Sequence, residues 1–343
     1  MMRRTLGIDL AKDCFQVSVS DGTGRVSERH RFNRIQFTEF MAQSPVSRVL
    51  LEACGTAHHW ARTLSAYGHQ VELLPAQHVR PYRRGNKTDR RDADALLEAG
   101  RCEDIQPVPV KTETQQAVIQ LHRLREQWKQ TRTARINSLR GALREFGIDL
   151  PLGAAAAIKR APQHLEPLPH HLQLALQAVL HEVEVLQLRI LAVGQALEEI
   201  AAKDAVVKRL RQVEGIGLLN ATAMVATAGS ANHFPNGRRF AAWLGITPRE
   251  SSSGFRRNLG RITKRGDVYL RTLLIHGARS VLARAKQLSR VNPERLSTLQ
   301  RWGLQLERRI GHNKATVALA NKLARICWAV WRNATSYQPG YGA

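Results

Sequence analysis

The sequence has few of the residues that staple small folds. Its 343 residues include four cysteines: Cys14, Cys54, Cys102 and Cys327. They lie too far apart for a CxxC or Cys/His pattern, so neither a zinc site nor a disulfide framework is expected. No run of about 18 apolar residues occurs, which argues against a membrane span. The opening MMRRTLGIDLAKD has no apolar stretch of the kind a secretory signal needs, so a cytoplasmic location is expected. Aromatic residues make up 6%, a scarcity that suits helices better than a β-sandwich. Acidic residues are also short: 28 Asp and Glu face 52 Lys and Arg, a net charge of +24. Such an excess repels itself unless it meets a polyanion, and the phosphate backbone of nucleic acid is the commonest one.

Enough is present to build a core, since hydrophobic residues reach 43%. The length allows two domains with a helical spacer. Residues 1–110 read as α/β. Strands are expected at Thr5–Leu10, Cys14–Ser20 and Arg25–Phe32, the last two separated by the hairpin signal Asp21-Gly22-Thr23-Gly24. Ile35–Gln43 and Ala57–Tyr67 read as helices, alternating with strands at Ser47–Glu52 and Gln70–Leu74. A mixed sheet follows, with ligands expected at the carboxyl ends of its strands.

Beyond Pro109 the pattern turns helical. Thr114 to Phe146 is a basic amphipathic helix, and a Pro- and Ala-rich break covers Pro151 to Pro169. Leu172, Leu176, Val179, Val183, Leu186, Ile190, Val193, Leu197 and Ile200 then alternate spacings of four and three. That seam reads as a coiled coil for oligomerisation, so residues 111–205 form the expected spacer. Residues 206–335 read as a compact helical domain. It has a Gly/Ser/Arg-rich loop at Thr247–Gly266 and helices near Asp267–Gln287, Pro293–Glu307 and Asn313–Trp331. Residues from Tyr337 onward read as a frayed tail.

Four carboxylates stand out. Asp9 closes the first strand and Glu52 another, while Asp89 and Asp92 are one helical turn apart, with Asp94 a rival to Asp92. Acids at strand ends plus a helical pair suit a two-metal phosphodiester site, and oxygen donors suit Mg²⁺. Nearby Arg84, Lys87, Arg90 and Arg91 would attract phosphate. A second feature is QVEGIGLLNATAMVAT, which reads as a helix-hairpin-helix whose Gly215 and Gly217 let backbone N–H groups approach phosphate. A third is the loop around Ser251-Ser252-Ser253-Gly254. Arg249, Arg256, Arg257, Arg261, Lys264 and Arg265 in and beside it are candidates for holding nucleic acid. His58-His59 and His170-His171 read as polar helix-end residues, and Trp302, Trp328 and Trp331 as core or interface.

GIDLAKD, LLEACG and KTDRRDADAL, in that order, resemble the RNase H-like, RuvC-type DEDD domain of the IS110 family of bacterial insertion-sequence transposases. WLGITPRESSSG, LGRITKRG and YLRTLL resemble that family's C-terminal transposase domain. The resemblance runs from residue 3 to about 333 and implies a transposase that cuts and rejoins DNA. It implies Mg²⁺ on Asp9, Glu52, Asp89 and Asp92, and it lands the serine nucleophile on Ser253, framed by Pro248 and Gly254. The family, with its IS1111 branch, further implies a non-coding bridge RNA that pairs with donor and target DNA. It also implies composite sites in a homo-oligomer, a dimer that becomes a tetramer in the synaptic complex. A serine attack would store the bond energy in a phosphoserine link. The competing readings are a Mg²⁺-dependent nuclease or Holliday-junction resolvase without serine chemistry, and a non-catalytic DNA-binding architectural protein.

Overall fold

The computed structural model describes residues 4–21, 25–83 and 88–339. It divides into two compact units, Met1–Glu113 and Thr114–Ala343.

The first unit is built on a five-stranded sheet of order β3-β2-β1-β4-β5. Its strands are β1 (Thr5–Leu10), β2 (Phe15–Ser20), β3 (Val26–Phe32), β4 (Arg48–Glu52) and β5 (Gln70–Leu74). β1, β2 and β3 are antiparallel neighbours, whereas β1, β4 and β5 run parallel. Residues 22–24 of the expected hairpin turn lie outside the described residues. Alternation along the strands assigns the two faces. Leu6, Ile8, Val49 and Leu51 pack with Phe37 and Trp60, which come from the helices α1 (Arg34–Gln43) and α2 (Ala57–Ala66). Leu50 and Leu74 point the other way, onto Leu96 and Ala99 of α4 (Asp89–Ala99). The short α3 (Ala76–Val79) precedes α4. α4 crosses the sheet closely at Gly7, where a Cβ would stand 2.4 Å from the Ala93 carbonyl oxygen. Thr88 caps α4 by accepting from the Arg91 amide, the N-terminal arrangement favoured by short hydroxyl side chains.

The second unit opens with two long helices, α5 (Glu113–Arg144) and α7 (His170–Lys203). Val118 clusters with Val193 and Leu197. The Arg189 guanidinium lies 5.9 Å from the Trp128 ring centre, and Arg135 pairs with Glu182 at 2.6 Å. Leu139 and Leu143 cluster with Leu176 and Leu180. Numbers rise on α5 as they fall on α7, so the two form an antiparallel hairpin. This corrects the expected oligomerisation seam. Leu176, Val183, Leu186, Ile190, Val193 and Leu197 are buried inside their own chain, because α5 supplies an apolar face of matching length. The Pro/Ala-rich break also folds: α6 (Ala154–Arg160) and a 3-10 turn place Ala157 and Ala161 against the hairpin's tip.

The remaining elements are α8 (Ala205–Leu210), α9 (Leu218–Ala228), α10 (Gly237–Trp243), α11 (Val268–Val291), α12 (Thr298–Ile310) and α13 (His312–Arg332). They enclose one core, in which Phe240, Leu244, Leu270, Leu274, Leu319 and Leu323 are buried. Tyr337 is not frayed. It packs against this core, and its amide donates to Gln212.

Candidate active site

The register of β1 and β4 locates the acids. Ile8 pairs with Leu51, so Asp9 and Glu52 are the next residues on adjacent parallel strands, roughly 5 Å apart between backbones. Asp9 shares its face with Gly7, and Glu52 shares its face with Leu50. Both positions therefore lie on the α4 side of the sheet. α4 runs opposite to β4, because Gly100 at its end accepts from Arg48 at the start of that strand. Its first turn, bearing Asp89 and Asp92, thus sits at the carboxyl ends of β1 and β4. The four acids occupy one end of one face.

Asp94 has a different duty. It accepts from Ser18 Oγ at 2.6 Å and pairs with Arg29 at 3.1 Å, tying α4 to β2 and β3. Spacing alone could not separate it from Asp92; these partners do. Asp92 faces Arg83, whose Nε is 2.6 Å from Oδ1. That oxygen is buried and satisfies no hydrogen-bond geometry, although its distance qualifies as an ion pair. A carboxylate held against a guanidinium is charge-balanced, and carboxylate oxygens are donors of the kind a hard divalent cation takes. Among the described residues no three His, Cys, Asp or Glu side chains stand close enough to enclose an ion. Arg83 supplies the positive charge beside Asp92.

Arg90 and Arg91 are exposed in the first turn of α4. Arg84 and Lys87 lie outside the described residues. On the other side of the sheet, His58 accepts from the Lys111 amide through Nδ1. Its pKa is pushed down to about 4 by burial, with Lys111 and Arg62 adding to the effect.

The expected Ser/Gly loop is a β-ribbon, β6 (Pro248–Glu250) and β7 (Leu259–Ile262). Ser253 and Arg256 exchange both backbone hydrogen bonds across its tip, at 3.3 and 3.1 Å. Gly254 has φ +56°, as the first central residue of a two-residue hairpin turn requires. The three serines differ. Ser251 bonds through its backbone to Asn258, and Ser252 donates its hydroxyl to Glu250 at 2.9 Å while accepting from the Asn258 amide at 3.1 Å. Ser253 is exposed at the tip, and among the described residues its hydroxyl has no partner. Arg249, Arg256, Arg257, Arg261, Lys264 and Arg265 are all exposed on or beside the ribbon. Arg257 is partly neutralised by Glu250 at 3.3 Å.

The glycine turn departs from expectation. α8 and α9 are joined as a helix, turn and helix, but Gly215 is turned inward. A Cβ on Gly215 would stand 2.7 Å from the Gly277 carbonyl oxygen of α11, and one on Gly277 would stand 2.2 Å from the Gly215 carbonyl oxygen. Its left-handed φ of +78° serves that crossing. Gly217, at the N-terminus of α9, has open space around it.

No helix among the described residues is long and apolar enough to cross a membrane. The model of a DEDD transposase family, described as "Transposase", matches residues 6–148, and that of the "Transposase IS116/IS110/IS902 family" matches residues 207–292. The chain is 42% identical over 340 residues to a probable family 20 transposase of Pseudomonas aeruginosa, covering 98% of each. It is 37% identical to the transposase for insertion sequence element IS1111A of Coxiella burnetii, covering 98% of this chain and 92% of that one. The transposase for insertion sequence element IS1328 of Yersinia enterocolitica is 36% identical, with 97% and 98% covered. With identity sustained over 97–98% of the chain and two family models matched, the chain belongs to the IS116/IS110/IS902 family of insertion-sequence transposases.

Proposed function

We propose that this transposase cuts and rejoins DNA through the hydroxyl of Ser253, acting with a divalent cation held by Asp9, Glu52, Asp89 and Asp92. The observation that carries the reading is the contrast within the serine run. Ser252 is committed as donor and acceptor, whereas Ser253 offers an unengaged hydroxyl on a rigid two-residue turn. Attack by Oγ forms a P–O bond to serine as the bond from phosphorus to a deoxyribose oxygen breaks. The serine proton passes to water and the leaving oxygen is protonated. The reverse attack, by a DNA hydroxyl on the phosphoserine, reseals a strand without outside energy. Arg256 and Arg257 flank the tip and neutralise the phosphate under attack. Mg²⁺, when bound to the four acids, supplies Lewis-acid stabilisation of the charge building on the scissile phosphate.

The sheet order, with three antiparallel strands continued by two parallel ones, and α4 carrying acids across its face, supports an RNase H-like reading of the first unit. Family resemblance and the net charge of +24 support a bridge RNA as guide to donor and target DNA. Gly217 supports a helix-hairpin-helix contact to phosphate at the start of α9. A homo-oligomer would form on the outer face of α7. There Leu174, Leu188 and Leu191 are 53%, 67% and 53% exposed, and Leu174, Ala178, His181, Val185, Leu188 and Ala192 repeat the four-three spacing of a second seam.

The test is a denaturing gel of labelled DNA incubated with protein and Mg²⁺. Wild type and Ser252→Ala leave a detergent-resistant protein–DNA adduct, and Ser253→Ala leaves none. An adduct that survives Ser253→Ala, or free ends released without any adduct in wild type, refutes the serine chemistry.

A further inference from the structure

The second unit contains a groove that the serine chemistry does not use. Its cavity volume is ≈ 2320 Å³, more than twice the roughly 1,000 Å³ at which small-molecule pockets end. A volume of that size argues for a polymer. One wall is α13, where Lys314, Ala318, Asn321, Arg325 and Ala329 recur at helical spacing and line the groove. α13 has 21 residues, so this wall extends for about 30 Å. The base of the β6–β7 ribbon, the start of α10 and residues Thr335 to Gln338 complete the lining.

The charge of the lining has one sign. Arg238, Arg261, Lys264, Lys314, Lys322 and Arg325 line the groove, and no Asp or Glu does among the described residues. None of the six has an ion-pair partner there, although ion pairs are common elsewhere in the chain. Lys322 shows what this costs. Its ammonium sits 4.5 Å from the Trp302 ring centre, and burial followed by the nearby Arg325 pulls its pKa below the ordinary lysine value. Lys264 is held at φ +57°, a left-handed conformation that a lysine does not favour. Strain of that kind persists where the surrounding structure needs the residue so placed. Here the Lys264 amide is bonded to the Gly245 carbonyl at 3.0 Å.

The rest of the lining includes an apolar floor. Val317, Ala318 and Ile262 are apolar, and Trp302 and Trp328 add ring surface. The Trp328 N–H is spent on the Ala231 and Phe234 carbonyls, so what it offers a ligand is carbon. A ligand matching both parts must carry regularly spaced negative charges and flat apolar faces together. Duplex DNA turns its charges outward and hides its base faces, leaving such a floor unmatched. A single strand presents both.

We infer that this groove, between α13 and the base of the β6–β7 ribbon, binds a single-stranded stretch of nucleic acid, its phosphates along the six cations and its bases against the apolar floor. The length would accommodate about nine stacked nucleotides at 3.4 Å each. RNA and unpaired DNA share this chemistry, and the test below separates them. The inference is independent of the serine nucleophile. It adds a consequence for that residue nonetheless: the ribbon whose base lines the groove ends at Ser253.

The experiment is fluorescence anisotropy with full-length protein in EDTA, where no metal-dependent cleavage interferes, using a labelled 12-nucleotide single-stranded RNA, the DNA of the same sequence, and its duplex. Binding is measured across a salt series for wild type, for Lys314→Gln with Arg325→Gln, and for Arg284→Gln with Arg290→Gln. The last pair is an equal charge loss on exposed positions of α11 outside the groove. Circular dichroism confirms that each variant is folded. The groove pair is expected to lower the salt slope for single strands by about 1.4, or 0.7 for each lost contact, and the control pair to leave it unchanged. Loss confined to RNA or to DNA identifies the source. Equal loss in both variant pairs, an unchanged slope in the groove pair, or tighter binding of the duplex with only that binding weakened, overturns the inference.

Discussion

Lowering the pH should loosen the second unit through one histidine. His122 on α5 is 3% exposed. Its Nε2 is 3.0 Å from Thr222 Oγ1, and its Nδ1 is 3.0 Å from the Tyr269 hydroxyl. Thr222 donates its only hydroxyl proton to the Leu218 carbonyl at 2.7 Å. It must therefore accept from His122, which fixes the proton on Nε2 and makes Nδ1 the acceptor of the Tyr269 O–H. A second proton on Nδ1 would meet that donor head on. Burial, with a contribution from Arg125, pushes the His122 pKa down to about 4, while the unfolded chain keeps the ordinary value near 6.5. The folded value being the lower one, the unfolded state binds more protons between the two. Stability is then fully present above pH 6.5 and lost as the pH falls toward 4. Between pH 7 and pH 5 the loss works out at about 2 kcal/mol, approaching about 3.4 kcal/mol at the acid limit. Urea unfolding followed by tryptophan fluorescence reports on this unit, since Trp128, Trp243, Trp302, Trp328 and Trp331 all lie in it. Wild type should lose about 2 kcal/mol more than His122→Gln over that window. Identical pH dependence in both proteins, or a His122 ring resonance titrating near pH 6.5, would refute the reasoning.

Gly277→Ala places a methyl 2.2 Å from the Gly215 carbonyl oxygen. Backbone must move to admit it, so a cost of about 3 kcal/mol is expected, read by calorimetry as a fall of about 6 °C or more in Tm. Leu188→Arg, on the exposed face of α7, should leave the fold intact by circular dichroism and shift light scattering toward the monomer. Val183→Arg, whose side chain is 1% exposed within the hairpin, should instead disrupt the fold, and matching behaviour of the two would contradict the assignment of faces. DNA cleavage should vanish in EDTA and in Asp92→Asn, and return for wild type alone when Mg²⁺ is restored; activity in chelator would exclude the metal reading.

Much of the first unit was legible because strand alternation is a local signal. Thr5–Leu10 and Gln70–Leu74 emerge with the expected bounds, and so does the change of pattern near Pro109. The side on which Asp9 and Glu52 lie was not legible, since it depends on the pairing of Ile8 with Leu51 across more than forty residues of chain. Nor could spacing separate Asp92 from Asp94: the distinction lies in Ser18 and Arg29 on two other strands. The spacing of Leu176, Val183, Leu186, Ile190 and Val193 marks α7 as a helix with an apolar seam, but periodicity says only that a face is covered. Here α5 covers it, and a less apolar second seam faces outward. α6 was hidden by the prolines around it, although Ala154 to Ala157 are strong helix formers. The β6–β7 ribbon was hidden by serine, glycine and arginine, whose strand preference is low. Its turn supplies what the strands lack, through Gly254.

Arg83 has a consequence for the charge balance of the first unit. A carboxylate set that depended on a metal for charge balance would spring apart when the metal left, and a chelator would unfold the domain. With a guanidinium already against the Asp92 carboxylate, the fold carries its own counterion. On the proposed metal reading, a divalent cation would then act as a switch on chemistry rather than a keystone of the architecture, and chelation would leave the first unit folded.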